Sequence, residues 1–279
     1  MSQILPIHKI LFEELIRPDQ FSRIPEKMVM DDEDQVDAYD KGSSRTGPLA
    51  VIYRFLAEQA CLRIAPGDRV LDLGCASGQL THFYSILNPQ SEFVGIDLSD
   101  KMIQKAKVLE QNNLRFVKDD ATRLQAFEDS SFDMVISSTF FHQLPNAEMI
   151  QDVMKSAFRV LKPNGKFLFS DILRPQSRKS VDLYAAPYIK SYPPLLLEDY
   201  KSSLLAGFSA KDLLRPLEGR QENLEIYATA LLRFFIMFGT PKEVSLTKEQ
   251  KQILNEYASQ FNKIQKWDLR MLKLFLIKQ

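Results

Sequence analysis

Arg69-Val70-Leu71-Asp72-Leu73-Gly74-Cys75-Ala76-Ser77-Gly78 is the stretch of this chain that decides its fold. Residues 70–73 read as a buried strand with one acid in it, and Gly74 and Gly78 then bracket a tight turn. A helix is predicted over residues 79–87. A strand, a glycine turn and a helix in this order make a nucleotide site, because the turn lets backbone approach a ligand and the helix N-terminus offers free N–H groups.

Strands and helices alternate through the next hundred residues. Further strands are predicted over residues 93–97, 114–117, 132–137 and 166–171, and helices between them over 99–111 and 146–161. Because helices of this length separate most of the strands, the pattern predicts an α/β protein with a doubly wound, mostly parallel sheet.

Two flanking regions complete the predicted organisation. Residues 1–47 form an N-terminal helical leader or cap, and residues 48–279 form the main domain. After the fifth strand, the predicted elements are a helix over 195–205, a strand over 210–217, helices over 222–238 and 246–264, and a last strand over 271–277. Residues 218–268 then become a helical insertion between two late strands, a lid that can cover an apolar pocket.

The composition excludes several classes of function. The chain has 279 residues with 36 basic and 36 acidic side chains, so it has no overall positive field, and a nucleic-acid partner is not expected. Cys61 and Cys75 are the only cysteines, and their spacing suits neither a disulfide framework nor a zinc site. We recognise no secretion signal, no membrane span and no metal constellation, and we therefore expect a cytoplasmic protein.

Acids near the glycine turn narrow the choice of nucleotide. Asp97 ends the second strand, 23 residues after Gly74, where an acid accepts hydrogen bonds from both ribose hydroxyls. A diphosphate site favours the spacing G-x-G-x-x-G, but Ala76 replaces one glycine, and Asp72 lies just before the turn. An acid repels a diphosphate and attracts an ammonium group. The sequence thus predicts a nucleoside with a positively charged amino-acid tail, and a dinucleotide-binding dehydrogenase is the weaker alternative.

Five segments resemble the motifs of one known family, the class I S-adenosylmethionine-dependent methyltransferases, in its small-molecule branch. They are residues 70–78, 94–99, 117–121, 131–138 and 161–166, within a resemblance that covers roughly residues 50–215. The first segment departs from the family pattern only at Ala76, where glycine is commoner. The resemblance implies a seven-stranded, Rossmann-like sheet. It also implies S-adenosylmethionine as the cofactor and S-adenosylhomocysteine as its product.

The same resemblance implies which residues hold the cofactor. Asp97 would bind the ribose diol. Leu98 and Met102 would flank the adenine, whose polar edge would meet Asp120 and Ala121. The other cofactor positions are Asp72, the turn residues Gly74, Cys75 and Gly78, Ser137 beside the methionine tail, and Tyr39 on an N-terminal flap.

His142 is the candidate base of the reaction. It follows the fourth strand, on the rim where a doubly wound fold binds its ligands, and a neutral imidazole there can take a proton from the acceptor. The alternative is that His142 only shapes the pocket or caps the next helix. Asp171 ends the fifth strand at the same rim, and it either orients the substrate or caps a structural turn.

The acceptor is less determined than the cofactor. Tyr184, Tyr188 and Tyr192 lie on a segment that can serve as a lid, and this favours an apolar, aromatic or lipid-like small molecule. Methylation at oxygen, nitrogen or carbon stays open, as does the choice between a monomer and a homodimer. Two alternative functions are an RNA or protein methyltransferase and a protein that binds S-adenosylmethionine without catalysis.

Overall fold

The computed structural model describes residues 6–16, 18–19, 21–220, 223–229 and 234–279. Its helices are α1 (Ile7–Leu15), α2 (Glu33–Gly42), α3 (Ala50–Cys61), α4 (Gln79–Leu87), α5 (Asp100–Lys107), α6 (Ala147–Val160), α7 (Arg178–Ala185), α8 (Pro194–Ala206), α9 (Ala210–Leu214), α10 (Lys248–Ser259) and α11 (Lys263–Phe275). Its strands are β1 (Arg69–Leu73), β2 (Glu92–Asp97), β3 (Leu114–Lys118), β4 (Phe132–Ser138), β5 (Leu161–Ile172), β6 (Glu225–Thr229), β7 (Phe235–Gly239) and β8 (Leu276–Lys278).

These strands form one sheet in the order β3-β2-β1-β4-β5-β7-β6-β8. The first five strands run parallel to one another, and β7, β6 and β8 extend the sheet in antiparallel pairs. The predicted doubly wound, mostly parallel sheet is confirmed, with eight strands among the described residues instead of seven. Because the strand order reverses between β1 and β4, the carboxyl ends of these two strands border the crevice in which such folds bind ligands.

Alternate side chains of each strand enter two separate apolar clusters. Val70 of β1 packs with α3, α4 and α10 on one face of the sheet, whereas Leu71 and Leu73 pack with α6 on the other. Both faces are therefore buried, which explains why these strands read as continuous apolar runs. The two layers fix the carboxyl edge of the sheet, from which the glycine turn begins.

Two predictions for the late part of the chain are wrong. Residues 210–217, predicted as a strand, form α9 and a 3-10 turn, because Ser209 and Asp212 cap this helix reciprocally. The helix predicted over 222–238 is replaced, in its described residues, by β6 and β7. The five residues of β7 are buried and pair with β5, and periodicity alone cannot assign so short an apolar run to a helix or a strand.

The predicted last strand and helical insertion also need correction. Residues 271–275 belong to α11, whose first turn is capped by Asn262 and Gln265, and only Leu276 and Ile277 of the predicted strand lie in β8. Residues 218–268 therefore include the strands β6 and β7 and are not a wholly helical insertion. The helical part is α10 with the first part of α11, residues 263–268, and both helices pack against α3.

The described residues include no helix that is long and apolar enough to cross a membrane. Within the same residues, no group of three or more His, Cys, Asp or Glu side chains is arranged to hold a metal ion.

Candidate active site

The glycine turn after β1 has a backbone that few residues can adopt. Gly74 (φ 71°) and Gly78 (φ 77°) are both left-handed, and Gly78 is the N-cap of α4. A Cβ atom on Gly74 would lie 2.4 Å from the ring of Phe140, so no larger residue fits without displacing that ring. Ala76 is left-handed as well (φ 47°), a conformation that costs an L-residue about 1–2 kcal/mol. The turn is thus held in strained geometry at the ligand-binding edge of the sheet.

Asp72 lies beneath this turn. The residue is 3% exposed, and its carboxylate accepts a hydrogen bond from Thr81 Oγ1 at 2.6 Å. Burial raises the pKa of Asp72 to about 7; the Thr81 bond opposes this rise, and the nearby charge of Asp97 adds to it. None of the ion pairs among the described residues involves Asp72. A cationic ligand nearby would relieve the cost of its charge.

Five of the predicted cofactor residues line one small cavity beside the turn, and one of them is Gly74 of the turn itself. Asp97, Leu98, Asp120 and Ala121 form part of its wall, and Met28 of the leader closes another side. The cavity has a volume of about 40 Å³. We call it the carboxylate cavity, because the strand-end acids give it its polar edge.

Both of these carboxylates are oriented by backbone groups. Asp97 accepts hydrogen bonds from Ala76 N at 3.0 Å and from Ser99 N at 2.9 Å, and burial raises its pKa. Asp120 Oδ1 accepts from the amide and the hydroxyl of Thr122, at 2.9 and 2.8 Å. Each carboxylate has further lone pairs, so each can still accept a hydrogen bond from a ligand.

Cys75, Met102 and Ser137 are buried away from open space. Cys75 N donates to Ile96 O at 2.8 Å, and Ser137 Oγ donates to Leu73 O at 3.1 Å within the sheet. Met102 is 2% exposed on the inner side of α5. Like Asp72, these three residues line neither cavity of the site, and their contacts with a cofactor stay predictions.

A larger cavity of about 220 Å³ adjoins the first, and aromatic side chains form much of its wall. They are Tyr39, Tyr53, Tyr188, Tyr192, Tyr200, Phe234, Phe235, Trp267 and Phe275. We call it the aromatic cavity. The hydroxyl oxygen of Tyr39, the predicted flap residue, lies 3.4 Å from the hydroxyl oxygen of Tyr53. Of the three tyrosines on the predicted lid, Tyr188 and Tyr192 line the cavity, whereas Tyr184 is buried against Phe234.

The two cavities meet at the loop that follows β4. Gln143 of this loop lines both of them, and His142 lines the aromatic cavity beside it. Thr139, at the start of the loop, has a left-handed φ of 53°, which is a rare conformation for a β-branched residue. Strained backbone is common at functional sites, and this strained loop lies where the two cavities meet.

His142 and Asp171 form a buried pair at this junction. His142 Nδ1 lies 2.7 Å from Asp171 Oδ1, and the His142 backbone N–H donates to Asp171 Oδ2 at 3.0 Å. Asp171 is 0% exposed and lines neither cavity, and its predicted role in orienting the substrate stays a prediction. Because Nδ1 faces Asp171, Nε2 is the ring nitrogen left for the cavity.

The charges around His142 favour its protonated form. Burial alone would lower the pKa of His142, but the Asp171 carboxylate, with smaller contributions from Glu26 and Asp199, outweighs burial and raises it above the usual 6.5. A proton taken up by this ring is therefore stabilised, and the neutral ring that a general base needs prevails only above this raised pKa.

Arg23 of the leader fixes the loop that carries His142. Its guanidinium donates hydrogen bonds of 2.5–2.7 Å to the carbonyl oxygens of His142, Leu144, Pro145 and Ala206. One side chain thus joins the leader, the loop after β4 and the end of α8.

Sequence reasoning missed Arg23, Glu26, Gln143, Asp199 and Asp268. None of them belongs to a local motif, because they come from the leader, the loop after β4, α8 and α11 and meet only through tertiary packing. Both helix acids also have charged neighbours along the chain. Glu198 precedes Asp199, and Lys266 and Arg270 lie on either side of Asp268, so the local sequence does not separate these two acids from surface residues.

Comparisons with known proteins agree with this geometry. Residues 64–202 match a family model described as a methyltransferase domain. The ubiquinone/menaquinone biosynthesis C-methyltransferase UbiE of Ectopseudomonas mendocina is 35% identical over 148 residues, which are 51% of this chain and 55% of that protein. UbiE of Stutzerimonas stutzeri is 32% identical over 145 residues, 49% of this chain and 55% of that protein. The chain therefore spans about half the length of these curated relatives.

Solved structures share the fold at low sequence identity. A putative S-adenosyl-L-methionine-dependent methyltransferase from Methanococcus maripaludis superposes with a TM-score of 0.55 at 15% identity, over 81% of this chain and 100% of that one. A SAM-dependent methyltransferase from Aquifex aeolicus gives 0.54 at 15% identity, over 77% and 100%. At such identity the likeness shows the fold alone. Residues 64–202, which carry the family match and the glycine turn, therefore form a class I S-adenosylmethionine-dependent methyltransferase domain.

Proposed function

We propose that this protein transfers the methyl group of S-adenosylmethionine to a small apolar or aromatic molecule bound in the aromatic cavity. The observation that carries the proposal is the meeting of two unlike cavities at Gln143. One cavity has carboxylates suited to a nucleoside, and the other has aromatic walls suited to an apolar acceptor. His142 stands where the reacting groups of the two ligands would come together.

The residues of the carboxylate cavity fit an adenosine group. Asp97 and Asp120 offer oxygens to hydroxyl and amino donors, while Leu98 and Ala121 offer apolar surface to a ring. S-adenosylmethionine, when bound, supplies a methyl group on a positively charged sulfur, which is a good leaving group. The cavity now has room for little more than one water molecule, so Met28 or a neighbour moves aside for the cofactor.

His142 acts as the general base in this proposal. Its Nε2 accepts the proton that the acceptor loses as the new bond to the methyl carbon forms and the methyl–sulfur bond breaks. Asp171 is a positioning residue, because it holds the ring through Nδ1 and stabilises the imidazolium without lining either cavity. The aromatic walls offer apolar surface that would hold the acceptor beside the methyl group.

A small acceptor is favoured over RNA or a protein chain by the size and lining of the site. Side chains from α2, α3, α8 and α11 line the aromatic cavity of about 220 Å³. The matched relatives from E. mendocina and S. stutzeri are named for the biosynthesis of ubiquinone and menaquinone, and this supports an acceptor of quinone-like, apolar character. Equal numbers of basic and acidic residues also disfavour a nucleic-acid acceptor.

Binding of S-adenosylhomocysteine tests the cofactor half of the proposal. Calorimetry and melting-temperature shifts should detect binding by the full chain, and Asp97→Asn should weaken it at least tenfold, a loss of about 1.4 kcal/mol. Asp129→Asn is the matched control, because that carboxylate is 75% exposed and lies on neither cavity. Stabilisation by NAD without stabilisation by S-adenosylhomocysteine would overturn the assignment in favour of a dehydrogenase.

Transfer of a labelled methyl group tests the acceptor half. We expect label from S-adenosylmethionine to enter the small-molecule fraction of a cell extract, and His142→Gln to remove most of it at neutral pH. Label in RNA or protein would contradict a small acceptor. Binding of the cofactor with no transfer to any fraction would instead identify a binding protein without catalysis.

A further inference from the structure

The aromatic cavity is negatively charged. Asp199 of α8 and Asp268 of α11 line it, and none of the described residues in its wall is Lys or Arg. Asp199 Oδ1 accepts a hydrogen bond from the Gln35 amide at 3.1 Å, and Asp268 Oδ2 accepts one from the Tyr188 hydroxyl at 3.4 Å. These partners are neutral, and of the two carboxylates only Asp199 also faces a basic side chain, that of His142.

A third acid strengthens the negative potential near His142. Glu26 lines an adjoining space together with Asp199, and its Oε1 atom is buried with no hydrogen-bond partner among the described residues. His142 is the only basic side chain described on the aromatic wall, and it is already paired with Asp171. Arg23 faces Glu26 and Asp171 from behind the loop, and His142 faces Asp199, so Asp268 is the carboxylate of the described wall with no cation acting on it. An acceptor with a carboxylate or phosphate group would therefore be repelled.

Three tyrosines surround the second acid of the cavity. We call Tyr188, Tyr192 and Tyr200 the tyrosine cluster; their ring centroids lie 4.7–6.5 Å apart, and the rings of Tyr188 and Tyr200 are perpendicular. Asp268 contacts this cluster through the Tyr188 hydroxyl. The faces of aromatic rings attract cations, and ring faces beside a carboxylate are the usual surroundings of a bound ammonium group. A purely apolar ligand would need none of these acids.

We propose that the acceptor carries a cationic nitrogen, which binds against the tyrosine cluster and Asp268 while the reacting atom lies at His142. This inference rests on the proposed function and narrows the acceptor to apolar amines. The ammonium group offsets the charge of Asp268, and the apolar part of the molecule fills the aromatic cavity. Recognition of the amine then orients the acceptor for methyl transfer. A cavity with apolar walls alone would orient the acceptor less selectively.

A matched series of ligands tests the proposal. Tyramine, tyrosol and 4-hydroxyphenylacetate share one ring and one chain length, and they differ in carrying a positive, a neutral or a negative end group. A second series with 4-phenylbutylamine, 4-phenylbutanol and 4-phenylbutyrate extends the chain. Calorimetry at pH 7.5 on the full chain saturated with S-adenosylhomocysteine measures each dissociation constant. Binding of S-adenosylhomocysteine is measured first. Its absence would contradict the proposed function, and this result is distinct from a failure of the amine to bind.

In at least one series, we expect the amine to bind about tenfold more tightly than the alcohol, and the acid to bind most weakly. Asp268→Asn should remove the preference for the amine and leave the alcohol unchanged. Tyr188→Phe keeps the ring and removes the hydroxyl from Asp268, so it should retain the preference. Four results would each overturn the proposal. The amine and the alcohol could bind equally, the acid could bind more tightly, or the preference for the amine could survive Asp268→Asn. The fourth is a protein that binds S-adenosylhomocysteine but no member of either series.

Discussion

Replacing Asp72 by Asn separates the structural and ligand-binding roles of this buried acid. The Asp72 carboxylate is 3% exposed, and its single hydrogen-bond partner among the described residues is the neutral hydroxyl of Thr81. If the acid exists to attract a cationic group of the cofactor, it destabilises the empty protein. The Asp72→Asn variant should then be the more stable protein at alkaline pH and the weaker binder of S-adenosylhomocysteine.

The magnitude follows from the pKa of Asp72, which burial raises from 3.8 to about 7. A group whose pKa is higher in the folded protein stabilises it fully below pH 3.8, and that stabilisation is lost as the pH rises to about 7. Because folding is coupled to proton binding at Asp72, the free energy of unfolding of the wild type should fall by roughly 2–3 kcal/mol between pH 5 and pH 8. Asp72→Asn lacks this loss. The difference between the two proteins should grow with pH by that amount, whatever fixed cost the buried amide brings.

Urea unfolding at pH 5, 6.5 and 8, followed by circular dichroism, measures this difference, and calorimetry measures the affinity for S-adenosylhomocysteine. Asp182→Asn is the control, because that carboxylate is 75% exposed and should show no such trend. A stability difference that stays constant across the pH range would refute the burial argument. Unchanged affinity in Asp72→Asn would refute a role for this charge in cofactor binding.

Three further substitutions test the loop and the turn. Arg23→Ala should lower the free energy of unfolding by about 2–4 kcal/mol in urea titrations, because it removes four hydrogen bonds to carbonyl oxygens. An unchanged free energy of unfolding would contradict the role of Arg23 in fixing the loop. Asp171→Asn should lower the pKa of His142, read by NMR titration of the three histidines; an unshifted titration would contradict the pairing. Gly74→Ala should cost about 2–4 kcal/mol in thermal unfolding, and Gly67→Ala, which meets no atom within 4 Å, should cost less; equal losses would argue against the contact.

The first five strands could be predicted from the sequence because each is a short buried run bounded by a turn. The positions of Asp97 and Asp120 followed directly, since an acid after a parallel strand lies at the carboxyl edge of the sheet. The same reasoning failed after residue 209. There, β7 is as apolar as a buried helix, and α11 carries enough apolar residues to resemble a strand. Only pairing with β5 and packing against α3 decide between the alternatives.

The walls of the aromatic cavity could not be predicted for a different reason. Local patterns record which residues are buried, but not which buried residues from distant segments face one another. Asp199 and Asp268 are 69 positions apart and meet the same cavity because α8 and α11 lie on opposite sides of it. Because charged residues also lie next to Asp199 and Asp268 along the chain, the burial of these two acids does not show in the local sequence.

We propose that residues 1–47 act as a cap that must open before the cofactor enters. Met28 lines the carboxylate cavity, Tyr39 lines the aromatic cavity, and Arg23 ties the segment to the loop of His142. Because a cavity of about 40 Å³ cannot hold a nucleoside, displacement of Met28 should limit the rate of association. Stopped-flow measurements should show S-adenosylhomocysteine binding severalfold faster to Met28→Ala. Met149→Ala is the control, because this residue lines the same cavity from α6 and its truncation enlarges the cavity without loosening the cap. Equal association rates for the wild type and Met28→Ala, or an equal acceleration by Met149→Ala, would show that the cap does not gate the cavity.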